Sequence, residues 1–338
     1  MTESFRHTDR DRTIVFGSGA IETSADLLGD GYTLLTTARA AATAPGVAAR
    51  AAAVVDVPPG AVPPLAAQLR PAITGERLVA LGGGRVIDTA KAIAAADGLP
   101  GPVAIPTSLS GAEMTGVHRH ALGVPEDRPR SRASIVINDP TLSASQPEDR
   151  LAASSANALG HGLTAVVSTS STPIARTVAL DAVGRLARAW SSVGPDRPGV
   201  ALGALMAGWA VDRSGLGPHH ALCQTAVRST SLDHASANAA LLPHTARAYR
   251  SRAPERSAGI EAETGIAPEG LADLLRDRAG ADGLGALGSD GGLLERMVET
   301  ASARPELERV PPPFSADEIR AIYLAAAGLP GCSRPAPD

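Results

Sequence analysis

Six short apolar runs punctuate the first 138 residues: TIVFGSG (13–19), YTLLTT (32–37), AVVDV (53–57), RLVALGGG (77–84), PVAIPTS (102–108) and SIVIN (134–138). Each has the length of a strand and is bounded by turn-forming residues. Alanine-rich stretches at 40–53, 62–73 and 86–96 lie between several of them and read as helices. Strand and helix in regular alternation specify a parallel sheet covered on both faces. The pattern stops at Asp139-Pro140, and the rest of the chain consists of long, Ala/Leu-rich segments broken by Gly and Pro. Helices are expected at 157–167, 173–192, 199–214, 219–227, 236–252, 269–279, 293–303 and 315–327, the last opened by the capping box Ser315-x-x-Glu318. The chain therefore divides into an α/β, Rossmann-like domain over residues 1–150 and an all-α domain over 151–338.

A length of 338 residues suits about two domains, and 44% hydrophobic residues suffice for a sizeable core. That core must be aliphatic, since aromatic residues make up only 2% of the chain. Stacking platforms for single-stranded nucleic acid need clustered aromatics in a basic groove, and the net charge here is −4, so no nucleic-acid partner is expected. The longest apolar run, 199–211, is shorter than a membrane span, so no membrane partner is expected either. Cys223 and Cys332 are too few for a disulfide framework, and the polar start MTESFRHTDRDR lacks a secretory apolar stretch. Both point to the cytoplasm.

Two loops carry the first functional signal. The run Leu78-Val-Ala-Leu81 ends in Gly82-Gly83-Gly84, and a helix begins at once. Glycines there let backbone N–H groups approach an anion at a helix N-terminus, and a pyrophosphate fits. The next strand ends in Pro106-Thr107-Ser108-Leu109-Ser110-Gly111, small hydroxyl residues on the rim where parallel sheets bind ligands.

GGGRVIDTAKAIA resembles the GGGSxxDxAKxxA turn of the iron-containing alcohol dehydrogenase superfamily, to which glycerol dehydrogenases and, more distantly, dehydroquinate synthases also belong. VAIPTSLSGAEMT resembles its second loop, and the Gly-x-Glu-Met-Thr form is most similar to the maleylacetate reductase branch. The resemblance implies the dehydroquinate synthase-like fold and an NADH or NADPH site formed by Gly82, Gly83, Gly84, Arg85, Asp88, Thr107, Ser108 and Thr37. Arg85 stands where the family usually has Ser. An NAD-specific site usually ends its second strand with an acid, whereas here Thr36-Thr37-Ala38-Arg39 has none, which leans toward NADPH or dual use.

Five of the eight histidines fall in the helical half: His161, His219, His220, His234 and His244. Spacing alone places Asn157 and His161 on one helical face, and His220 and Gln224 on another. In the superfamily an Asp-x3-His pair and two more histidines hold a metal, and those motifs match Asn157, His161, His220 and His234. Asn in place of Asp removes the ligand charge and lowers divalent-cation affinity. Asn157 with paired His219-His220 is again similar to maleylacetate reductases, a branch that can work without a metal, so no tightly bound metal is expected; a residual site, if any, would use those four residues. Gln224, Val227-Arg228 and Thr164 depart from the family pattern at a His, a Gly-Gly and a Glu, and Gln224 cannot relay protons near neutral pH.

The resemblance implies a reductase of a small anionic oxo-unsaturated substrate, maleylacetate to 3-oxoadipate being the type reaction, with dimers common among relatives. His161, His220 and His234 are the expected proton handlers; His118, Arg119, Asn157, His219 and Arg228 are the expected substrate contacts. The alternatives are a metal-dependent alcohol or glycerol dehydrogenase, a lyase or cyclase using the nucleotide transiently, and a pseudoenzyme of the same fold.

Overall fold

The computed structural model describes residues 3–9, 11–230, 232–281, 283–284 and 292–329. Cys332 and the SRPAPD tail lie outside them. Seven strands are described: β1 (Phe5–Asp9), β2 (Arg12–Phe16), β3 (Thr33–Thr36), β4 (Ala53–Asp56), β5 (Leu78–Gly82), β6 (Val103–Pro106) and β7 (Ile135–Asn138). The longer helices are α1 (Gly84–Asp97), α2 (Glu148–Val167), α3 (Pro173–Trp190), α4 (Arg197–Ser214), α5 (Pro218–Ser229), α6 (His234–Arg252), α7 (Pro254–Thr264), α8 (Pro268–Ala279), α9 (Leu293–Ser302) and α10 (Ala316–Ala326). No described helix is long and apolar enough to cross a membrane.

The strands form one sheet in the order β1-β2-β7-β6-β5-β3-β4. All neighbours run parallel except β1 and β2. Every residue of β3, β5 and β6 is buried, because helices cover both sheet faces and leave no polar side to alternate with. Leu34, Val79, Leu81, Val103, Ile105 and Ile137 belong to the aliphatic core that results. From β3 the chain first steps outward to β4, then returns to β5 on the other side of β3. The switch point of this sheet is thus the gap between β3 and β5, where parallel sheets bind ligands beyond their carboxyl ends.

All six expected strands are present. β1 is an addition to them: its residues FRHTD are almost wholly exposed, and it forms by antiparallel pairing to β2, from Phe5 opposite Phe16 to Asp9 opposite Arg12. The helix expected over 40–53 is two short ones, Ala38–Thr43 and Pro45–Ala49, because Pro45 starts a new turn and lacks the N–H to continue the old one.

The chain forms two compact units, one of residues 1–146 with 192–212, the other of 147–191 with 213–338. This differs from a single division at residue 150, since most of α4 belongs with the sheet. Its Arg197 donates to Gln146 O at 2.7 Å, and its Asp212 accepts from Gly116 N at 3.0 Å and pairs with Arg132. Gly208 packs so closely on the loop after β6 that a Cβ there would lie 3.1 Å from Met114 Cβ.

In the second unit α2 is buried from Leu151 to Val167 and packs against α3, α6 and α8. α10 opens with the expected capping box, Ser315 Oγ accepting from Glu318 N while the Glu318 carboxylate accepts from Ser315 N.

Candidate active site

Two sites are built, one on each unit. On the first, Thr37, Arg39, Thr43, Gly83, Gly84 and Arg85 line a cavity of about 350 Å³ together with Thr107, Ser108, Ser145 and Gln146. It sits over the β3/β5 switch point. The loop after β6 is fastened to the glycine turn by Thr107 N–H donating to Gly82 O at 3.0 Å. A Cβ on Gly83 would stand 3.1 Å from Ser108 Oγ, and one on Gly84 3.0 Å from Ser110 Cβ, so only glycine leaves the cradle open. The first-turn N–H groups of α1 and this side-chain-free backbone suit a dinucleotide pyrophosphate.

Two residues expected on the cofactor are not among those lining the cavity. Gly82 lends its carbonyl to Thr107. Asp88 pairs with Lys91 at 2.8 Å. Lys91 is fully buried, and its Nζ also donates to Ala112 O at 2.8 Å and to Thr115 O and Val117 O at 3.0 Å. A buried ammonium needs such partners, so this pair holds the loop after β6 in shape. Beside it, burial raises the Glu113 carboxyl to about 7. His118 spends both ring nitrogens internally, Nδ1 on Arg119 O at 3.1 Å and Nε2 on Ser131 N–H at 3.0 Å. Burial lowers its pKa to about 4, so it is a neutral loop fastener and not a carboxylate grip. Arg119 itself is exposed.

On the second unit, α2, α5 and α6 bring His161, His219, His220 and Asn157 together in the interior. Gly160 permits the close approach, because a Cβ there would lie 2.5 Å from His219 Cδ2. His161 and His220 stack with ring centroids 4.3 Å apart and planes 8° apart. His220 Nε2 meets Asn157 Oδ1 at 3.2 Å, and since an amide oxygen only accepts, this nitrogen carries the proton. His234, at the start of α6, is exposed, its ring 6.4 Å from that of His220.

His219 is a structural anchor. Its Nδ1 meets Thr245 Oγ1 and its Nε2 meets Asn238 Oδ1, both at 2.9 Å, and its backbone N–H donates to Tyr249 Oη at 2.9 Å. Tyr249 Oη in turn lies 3.2 Å from Thr164 Oγ1, which explains what the threonine at the family's Glu position does. With both nitrogens engaged, His219 has none for substrate. Gln224 Oε1 accepts from Arg304 Nη2 at 3.0 Å, and Arg304 is also clasped by Glu306. Arg228 is exposed near the end of α5, about 12 Å along the axis from His220. Asn238, Thr245, Tyr249 and Arg304 had no signal in local spacing, because each is brought in from a separate helical turn or loop.

Burial dominates the electrostatics. It lowers the pKa of His161 and of His219 to about 3, with neighbouring histidines adding to the effect, and pushes His220 well below its ordinary value. The cluster is therefore neutral at pH 7. His161 Nδ1 and His220 Nδ1 are buried without hydrogen-bond partners.

These residues offer a divalent ion a weaker site than the Asp-containing set of the wider family. The donor set is three neutral imidazoles and an amide, with no carboxylate to offset a divalent charge. One imidazole N–H is spent on the amide. Imidazole lone pairs lie in the ring plane, and two stacked, nearly parallel rings have no common in-plane point at which both could bind one ion.

A stability prediction arises here. A histidine titrating near 3 when folded and near 6.5 when unfolded binds fewer protons in the native state between those values, so stability falls as pH drops below 6.5, by about 1.4 kcal/mol per pH unit for each such group. Glu113 has the opposite sign, since its raised folded pKa adds stability as pH falls from about 7 toward 4.5. With His161 and His219 against Glu113, one net proton remains, and His118 and His220 act in the same sense as the other histidines. Denaturant unfolding at pH 6.5 and 5.5 should show a loss of at least about 1.4 kcal/mol; a flat profile would contradict the burial of neutral rings.

Comparison with known proteins gives the family. Residues 151–327 match the C-terminal region of the Fe-containing alcohol dehydrogenase family. Maleylacetate reductase 1 of Rhodococcus opacus is 31% identical over 253 residues, covering 71% of this chain and 70% of that protein. The crystal structure of maleylacetate reductase from Rhizobium sp. strain MTP-10005 superposes with a TM-score of 0.79 at 28% identity, covering 96% of this chain and 98% of that one. The maleylacetate reductase structure from Agrobacterium tumefaciens gives 0.77 at 27% identity, with the same coverage of both chains. The α/β and helical units with a switch-point cavity thus define a nucleotide-dependent oxidoreductase. The chain belongs to the iron-containing alcohol dehydrogenase family, with which NAD(P)H as redox cofactor is consistent.

Proposed function

We propose that the protein is an NAD(P)H-dependent reductase of a small, anionic, oxo-unsaturated substrate, with maleylacetate reduced to 3-oxoadipate as the reaction. The observation that carries this reading is the neutral histidine cluster with Asn157 in place of a carboxylate, in a chain whose relatives include maleylacetate reductases.

When bound, the reduced nicotinamide supplies a hydride to the substrate carbon–carbon double bond. The bond's electron pair moves toward the ketone and leaves an enolate, and one proton completes the second C–H bond. Gly83, Gly84, Arg85, Thr107, Ser108 and Thr37 are assigned to the nucleotide. His161, His220 and His234 are assigned to the enolate and the proton. In the absence of a resident metal, which the donor set disfavours, N–H groups must stabilise the developing negative charge. A neutral imidazole is a hydrogen-bond donor already, and a dianionic substrate brings the negative charge that raises its pKa and lets it carry a proton. Asn157 fixes the tautomer of His220 so that its N–H orientation is set before substrate arrives.

The reading includes a cytoplasmic setting, expected from the scarcity of cysteine, and a homodimer, which the resemblance implies. Its test is nicotinamide oxidation with maleylacetate beside simple aldehydes and ketones. Turnover of the dicarboxylate alone supports it, whereas preference for simple alcohols and aldehydes would favour a dehydrogenase.

A further inference from the structure

The nucleotide cavity contains two guanidiniums and no carboxylate. Arg39 and Arg85 both line it, and no acidic residue does. Neither arginine has a hydrogen-bond or ion-pair partner among the described residues. Most of the described arginines differ in that respect: Arg50, Arg70, Arg132, Arg247 and Arg320, for example, are each paired with an acid. Two cations left unpaired on one cavity wall point to an anionic ligand with more than one charged group.

Sheet order assigns the two arginines different jobs. The lining loops leave β6, β5 and β3, which are successive neighbours in the sheet. A dinucleotide with its pyrophosphate on Gly83–Gly84, after β5, has room for its nicotinamide half beside Thr107 and Ser108, after β6. Its adenosine half then falls over the loop after β3. Registers place Thr36 opposite Leu81, so the ends of β3 and β5 are level. Arg39 comes three residues beyond that level on the adenosine side, while Arg85 is the second residue of α1 beside the pyrophosphate. A site selecting an unphosphorylated ribose would present an acid at the end of the strand to hold the 2′-hydroxyl, and an arginine there suits a 2′-phosphate.

We propose that this cavity selects NADPH over NADH, with Arg39 binding the 2′-phosphomonoester of the adenosine ribose and Arg85 serving the pyrophosphate common to both nucleotides. The inference rests on the reading that a nicotinamide dinucleotide binds here. A charge-assisted contact to a phosphate contributes enough for about a 10- to 100-fold preference. Because Arg39 is exposed, that preference falls as salt rises.

Calorimetric binding to the full chain at low salt tests it without relying on turnover, using NADPH, NADH, 2′,5′-ADP and 5′-ADP. The expected result is NADPH tighter than NADH by at least about 10-fold, and 2′,5′-ADP tighter than 5′-ADP in the same sense. Arg39→Ala should bring the two dinucleotides level, Arg39→Asp should reverse their order, and Arg85→Ala should weaken both alike. Equal binding of both dinucleotides by the unmodified chain, or a preference that survives Arg39→Asp, overturns the inference and leaves the nucleotide site standing. Binding of neither dinucleotide overturns the site and the inference together.

Discussion

Gly83→Val should reduce NAD(P)H affinity by at least about 100-fold, equivalent to about 2.8 kcal/mol, while leaving the chain folded. Gly83 caps α1 in an extended conformation, φ −78° and ψ −173°, that valine adopts without strain. Its carbonyl still accepts the N–H groups of Val86 and Ile87. The new Cβ meets only the Ser108 side chain, Oγ at 3.1 Å and Cβ at an ordinary 3.7 Å, and a serine hydroxyl can rotate away. The added methyls then fill the cradle from which backbone N–H groups reach an anion. Gly82→Val is the contrasting case, because its Cβ would stand 2.6 Å from the buried Val86 side chain and force the strand–helix packing apart. Binding titrations with thermal melts on both variants separate the outcomes. An unchanged affinity in a folded Gly83→Val protein would remove the nucleotide from this cavity.

His161→Ala and His220→Ala should each lower kcat by at least about 100-fold, the usual scale for loss of a proton-handling group. His219→Ala should behave differently. That residue fills two side-chain hydrogen bonds in the interior, to Thr245 and Asn238, and its removal leaves both partners buried and unsatisfied. Its expected effect is on stability, a loss of about 2 to 4 kcal/mol from truncation and orphaned polar groups. Equal catalytic and stability losses in all three variants would dissolve the distinction between the stacked pair and the anchor. Asn157→Asp is the informative partner substitution, since a carboxylate beside His220 would raise the depressed histidine pKa and supply the negative ligand the cluster lacks.

The parallel strands were legible because each holds a short, largely apolar run between turn residues, the pattern expected of a sheet covered on both faces. β1 was not, since an exposed edge strand such as FRHTD carries no apolar alternation and exists only through its partner. From Gly199 to Val211 α4 is apolar all round, which announces burial without saying against what, and most of the helix belongs with the sheet unit. α7, PERSAGIEAET, is too polar to stand out as a helix. At the site, the glycine turn and hydroxyl loop were readable because their chemistry is local. The roles of Asp88, His118 and His219 were not, because what decides them is a distant partner: the buried ammonium of Lys91, the backbone N–H of Ser131, the side chains of Thr245 and Asn238. Residue type placed these groups among the candidates, and hydrogen-bond satisfaction assigned them structural work.

The central claim is reduction of an unsaturated dicarboxylate at a neutral, metal-independent histidine cluster. The most direct measurement is steady-state oxidation of NADPH and NADH with maleylacetate, using protein treated with a strong chelator and checked for residual metal. The account predicts full turnover of the chelated enzyme, one 3-oxoadipate formed per nicotinamide oxidised, and no gain on adding Fe²⁺ or Zn²⁺. Activity that vanishes on chelation and returns with the ion, or oxidation of nicotinamide only with simple aldehydes, would contradict it.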